Sequence, residues 1–134
     1  MIFSYEEITP IIRRPIIPIL LLSDTHFAIY KALIDSGADY CIFSTDLAVL
    51  LGIDLSYKNK VSVTGVGGHE VKGYWKKITI RIGDIIYSTK IIFGEISGFG
   101  HGILGQKGFF DHFDVKLSYN KQIIELDSLK QTSN

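Results

Sequence analysis

Leu33-Ile34-Asp35-Ser36-Gly37-Ala38-Asp39 is the stretch on which the reading of this chain turns. An apolar strand ending in β-branched Ile34 carries Asp35 to its tip, and Gly37 permits a sharp turn that a residue with a Cβ resists. The Asp35 carboxylate then faces a cleft, near the Ser36 hydroxyl and neighbouring backbone N–H groups. Taken alone, the tripeptide suits equally an acid that caps a turn. Upstream, Ile16–Leu22 and Phe27–Leu33 have strand composition and flank the turn residues Ser23-Asp24-Thr25-His26, which predicts a hairpin that delivers Asp35. Pro15 and Pro18 place the first of these strands at an edge or a strand start. Downstream, Tyr40–Phe43 reads as a short buried strand. Ser44 then caps a helix over Thr45–Leu51, with Asp46 in its first turn and Gly52 at its stop.

Farther out, Val61–Thr64 and Val71–Ile82 alternate with period two around Gly65-Val66-Gly67-Gly68-His69-Glu70, a hairpin with a Gly-rich tip. Ile85–Phe93 is one more strand, entered through a turn at Gly83-Asp84. Gly100, Gly102 and Gly105 spell G-x-G-x-x-G, with Glu125 twenty residues beyond, but a dinucleotide site needs a βαβ unit and further parallel strands that the remaining chain is too short to build. Ile103-Leu104-Gly105 instead reads as an apolar strand passing beside the Asp35 turn. Phe109, Phe110 and Phe113 fit the core face of a short helix over Lys107–Phe113, an element implied there by the family resemblance given below. Val115–Leu117 and Gln122–Leu126 form a terminal hairpin around Ser118–Lys121. Met1–Ile12 is an amphipathic leader without a legible structure, and residues 128–134 are expected to fray. The ordered domain is expected over residues 14–127.

The 134 residues suit one domain with a real core. Fourteen Lys plus Arg balance fourteen Asp plus Glu, and a neutral chain without a basic stripe is a poor nucleic-acid binder. The most apolar run, Ile16–Leu22, is too short to span a bilayer. Cys41 is the lone cysteine, which allows no disulfide framework and permits a reducing compartment. The N-terminus has acids where a signal peptide has a basic region. A cytoplasmic protein without membrane or nucleic-acid partners is expected. His26, His69, His101 and His112 show no metal-ligand spacing, so neither metal nor cofactor is expected. Gly-x-Ser-x-Gly is absent.

Asp35-Ser36-Gly37-Ala38 resembles the Asp-Thr/Ser-Gly signature of aspartic proteases, in their single-domain retropepsin-like branch. Gly65-Val66-Gly67-Gly68 resembles the tip of retropepsin flaps, Ile103-Leu104-Gly105 the hydrophobic-hydrophobic-Gly buttress of the catalytic loop, and Arg14-Pro15 the Arg-Pro ahead of the first viral strand. The likeness runs from about Arg14 to Leu126 and is closest to compact cellular members. It implies an all-β, closed half-barrel with one or two short helices, assembled as a two-fold homodimer. It further implies an endopeptidase in which Asp35 of each subunit forms the dyad, since the chain holds one such motif and two carboxylates must share a proton. Catalytic roles then fall to Asp35, Ser36 and Gly37. Contacts with a polypeptide substrate fall to Ala38, Asp39, Gly65, Val66, Gly67, Gly68 and Ile103. Gln106 stands where relatives commonly carry an Arg that buttresses Asp39. A weak or inactive dimeric peptide-binding module would satisfy the same motifs.

Overall fold

The computed structural model describes residues 1–64, 68–96 and 100–129. Strands β4 (Ile16–Leu22) and β5 (Phe27–Ile34) form the expected hairpin, in a continuous antiparallel register from Ile16 opposite Leu33 to Leu22 opposite Phe27. Its turn is tied by Ser23, whose backbone N–H donates to the His26 carbonyl at 2.9 Å and whose hydroxyl donates to the Leu51 carbonyl at 2.7 Å. After the Asp35 loop come β6 (Ile42–Ser44) and α1 (Thr45–Leu50), whose Ser44 cap accepts from the Asp46 N–H. A 3-10 turn (Tyr57–Asn59) leads into β7 (Lys60–Thr64), β8 (Glu70–Ile82) and β9 (Ile85–Gly94). The turn between β8 and β9 uses Gly83 at φ +60°, a left-handed conformation that side chains with a Cβ resist.

Strand β10 (Gly102–Leu104) slots between β5, to which it is parallel, and β6, to which it is antiparallel. The sheet order is β4-β5-β10-β6-β9-β8-β7, and β4 also pairs with the end of β8, Leu20 opposite Arg81. That second pairing brings the sheet round on itself. It also explains Pro18: β4 gains its second neighbour only from Leu20 onward, so the missing proline donor falls where the strand has one partner. The inward residues Ile17, Ile19, Leu21, Ile78, Ile80 and Ile82 meet Phe43, Phe93 and Phe109 in the main core. Burying each such side chain is worth roughly 1.5–3 kcal/mol.

Strands β11 (Phe113–Ser118) and β12 (Ile123–Ser128) form the expected terminal hairpin. Of the segment read as a leader, β1 (Ile2–Ser4) pairs with β12, and β2 (Glu6–Thr9) pairs with β3 (Ile12–Arg14). The base of that small hairpin is held by the Lys31–Glu6 ion pair and by the Ile34 N–H, which donates to the Pro15 carbonyl at 2.9 Å.

One expected element takes another form. Over the expected helix, Lys107 makes an isolated parallel bridge with Tyr40, residues 108–112 make a succession of turns, and Phe113 already opens β11. Gly108 sits at φ +103°, which interrupts helical winding. The Phe110 and Asp111 N–H groups reach back to the Gly105 and Gln106 carbonyls, a wider closure than an α-turn, and the Asp111 carboxylate accepts from the Gly108 N–H at 2.9 Å. The aromatic placement nevertheless holds: Phe109 and Phe113 are buried and Phe110 packs against them.

Candidate active site

Asp35 follows directly on β5 and opens a loop that is clamped along its length by the segment after β10. The Asp35 N–H donates to the Leu104 carbonyl at 3.0 Å; the Gln106 and Lys107 N–H groups donate to the Ala38 and Asp39 carbonyls at 2.8 and 2.9 Å. Gly105 is what makes this approach possible. A Cβ there would press into the Tyr40 and Ala38 carbonyl oxygens, so no other residue fits without the two segments separating.

Within the loop, the Gly37 N–H donates to Asp35 Oδ1 at 2.9 Å, and the Ala38 N–H to the Asp35 carbonyl at 3.1 Å. Asp35 is half-buried while Ser36, Gly37 and Asp39 are exposed. The carboxylate is thus fixed on one oxygen by a backbone donor while its flank stays open. That suits a group that must meet water and a second acid.

Gln106 fills the place of the family's Arg in a different way. Its Nε2 donates to the Ser36 carbonyl at 2.9 Å, fastening the loop from the opposite side, and among the described residues no ion pair reaches Asp39. Ile103, half-buried, lies opposite Leu33 of β5 and Ile42 of β6, two residues before Asp35 in the β5 register. Gly68 is exposed at φ +78° beside β8. Gly65, Val66 and Gly67 lie outside the described residues.

Sequence reasoning passed over what supports the clamp from beneath. The Tyr87 hydroxyl donates to the Gly108 carbonyl at 2.9 Å and its ring lies 4.4 Å from that of His112, so β9 holds the 106–113 turns in place. Nothing in an alternating strand marks Tyr87 for that task. Beside it, burial pushes the Cys41 thiol up from 9.0 to about 12, against a smaller opposing effect of the Gly105 N–H that it accepts at 3.4 Å. A second apolar group adjoins the loop: Tyr40, next after Asp39, sets its ring edge-on to Trp75 at 5.0 Å, with Val61, Val63 and Val71 half-buried around Ile42, Ile92 and Ile96.

A closed β-barrel with an Asp-Ser-Gly loop braced by Ile-Leu-Gly defines a class, the retropepsin-like aspartic proteases. The profile of the aspartyl protease family matches residues 27–107, and the chain belongs to that family. None of the curated proteins is significantly similar to it in sequence. Among solved structures it is similar to the EIAV protease complexed with the inhibitor HBY-793, at 25% identity and a TM-score of 0.55 over 73% of this chain and 86% of that one. A retropepsin-like aspartic protease from Rickettsia conorii shares the fold at 19% identity, with a TM-score of 0.58 over 81% and 88% of the two chains. So does the retroviral protease-like domain of Ddi1 from Leishmania major, at 15% identity and a TM-score of 0.61 over 87% and 90%. No helix among the described residues is long and apolar enough to cross a membrane.

Proposed function

We propose that the protein is an aspartic endopeptidase that works as a homodimer, with Asp35 of each subunit meeting at a two-fold axis. The observation that carries this reading is the Asp35 loop, clamped by residues 104–107 and open on the carboxylate's flank. Two carboxylates this close cannot both ionise, so the pair shares one proton. The ionised carboxylate takes a proton from water as the water oxygen bonds to the scissile carbonyl carbon. The protonated one gives its proton to the carbonyl oxygen, which leaves a neutral gem-diol. As the C–N bond breaks, the first carboxyl passes its new proton to the leaving amine and the second recovers one from the gem-diol, restoring the shared proton.

Ser36 and Gly37 shape the loop. Ala38, Asp39, Ile103 and the tip Gly65, Val66, Gly67 and Gly68 contact an extended polypeptide, bound as an added strand. The Tyr40–Trp75 cluster offers apolar surface for its side chains. The test is cleavage of a mixed peptide pool from about pH 3.5 to 7.5, with products read by mass, since the shared proton must persist for turnover. Activity on the acid side of neutrality that vanishes in Asp35→Asn supports the reading. Absence of cleavage by a chain shown to be dimeric overturns it in favour of a peptide-binding module of the same fold.

A further inference from the structure

On the outside of the barrel, β5, β4, β8 and β9 lie side by side and share one face. Their registers set Ile29, Leu20, Arg81 and Ile86 in one cross-strand row and Phe27, Leu22, Thr79 and Ser88 in the next. The alternate residues Ile19, Leu21, Ile80 and Ile82 belong to the main core, so both rows turn outward. Phe27, Ile29 and Ile86 are 69%, 74% and 63% exposed. A single exposed apolar side chain is ordinary. Here Phe27 and Ile29 are continued across the sheet by half-buried Leu22 and Leu20, with Ile86 one strand beyond Arg81, and a contiguous apolar patch of that kind marks an interaction site.

The charges on the same face are of one sign. A third row sets Lys77 directly opposite Lys90, both exposed, an arrangement that costs stability. Among the described residues no ion pair relieves either lysine or reaches Arg81, whose Nε donates to the Gly83 carbonyl at 2.9 Å. Lys31, by contrast, is already paired with Glu6. Asp24 and Asp84 sit in the turns that end β4 and β8, outside the three rows. A chain of zero net charge thus carries three uncompensated cations around one apolar patch.

We propose that this face docks a partner polypeptide through a segment whose apolar side chains are flanked by carboxylates. The cations select the partner's charge, and the exposed Phe27, Ile29 and Ile86 supply apolar contact. Other occupants fit less well. A second copy laid face to face would bring the same three cations against themselves, since a two-fold contact repeats one surface. A lipid surface deep enough to cover Leu20 and Ile86 would also take in Arg81, which lies between them, and the Thr79–Ser88 hydroxyl pair, at a cost that a polypeptide with matching polar groups avoids. Phe27 and Ile29 precede Asp35 by eight and six residues, roughly 20–26 Å along the strand. Docking there leaves the Asp35 loop free.

The test uses the full chain carrying Asp35→Asn, so that no probe is cut, and a fluorescent peptide of sequence Glu-Glu-Leu-Phe-Leu-Glu-Glu read by anisotropy. The peptide should bind, more weakly as salt rises. Versions with Lys in place of Glu, or Ser in place of Leu and Phe, should not. Reversing both lysines, Lys77→Glu with Lys90→Glu, should weaken binding on the order of tenfold, and Phe27→Ser should do so by a similar factor. All three positions are exposed, and unchanged unfolding curves would show that the variants keep the fold. Absence of binding, equal binding of the acidic and basic peptides, or binding that survives both variants overturns the proposal. Sedimentation with phosphatidylserine vesicles in place of peptide binding would overturn it in favour of a lipid surface, and self-association abolished by Phe27→Ser in favour of a second copy. Because the probe is read without turnover, failure here leaves the proteolytic reading standing, and a native chain that cuts nothing leaves this one standing.

Discussion

The two halves of β8 line two different interiors. Its C-terminal half presents Ile78, Ile80 and Ile82 to the main core, all buried, and is flanked by both β4 and β9. Its N-terminal half presents Val71 and Trp75 to the smaller cluster beside the Asp35 loop, both half-buried, and is flanked by β7 and, from Gly73 onward, by β9. One strand thus joins a closed, fully packed region to an open one whose apolar side chains keep solvent contact. Stability is concentrated in the first and adaptable binding surface in the second, which is the division expected where local opening free energies differ.

Substitutions should separate the two regions. Phe109→Ala, which empties the centre of the main core, should cost about 3–5 kcal/mol in urea unfolding. Retention of near-native stability would mean that the core does not depend on the 106–113 turns. Gly105→Ala should cost about 1–3 kcal/mol and remove cleavage, because the added methyl must push the clamp away from the loop; an active, stable variant would contradict the close approach. Trp75→Ala should lower stability by only about 1 kcal/mol while changing which peptides are cut, and an unchanged product map would detach the small cluster from substrate. Gln106→Ala should be the mildest, near 1 kcal/mol for the lost hydrogen bond, with turnover falling more than stability.

The Cys41 thiol gives a pH signature of the closed region. In the unfolded chain it ionises near 9.0, and in the folded chain not until about 12. Between those values the unfolded state binds fewer protons, so stability present below pH 9 should fall as pH rises toward 12. Denaturant titrations across that range should show the loss, and Cys41→Ala should flatten part of it. An equally steep loss in the variant would assign the effect to other groups.

What could be read beforehand follows the range of the interactions involved. Asp35-Ser36-Gly37, the β4–β5 hairpin and the Ser44 cap are local, and residues a few positions apart suffice to specify them. The role of Gly105 was legible because close approach demands glycine whatever the partner. The three residues of β1 were not, because they become a strand only through β12, more than a hundred positions away. A helix was expected after Gly105 because the resembled family has one there and three aromatic residues fit one face of it; Gly108, whose left-handed conformation is invisible in composition, breaks it here. Gln106 was noticed as a departure, but its bond to the Ser36 carbonyl could come only from coordinates.

The bond from Gln106 to Ser36 spans 70 residues, and every clamp on the Asp35 loop has a similar reach. A growing chain therefore carries the acid long before it carries the cradle. Contacts of such sequence separation form late and slowly, since the intervening chain must be closed into a loop before they return any energy. Hydrolytic competence, as proposed here, then arrives only when β10 has threaded between β5 and β6. Under that proposal a partly folded copy is a target of the folded protein and not a source of stray cleavage.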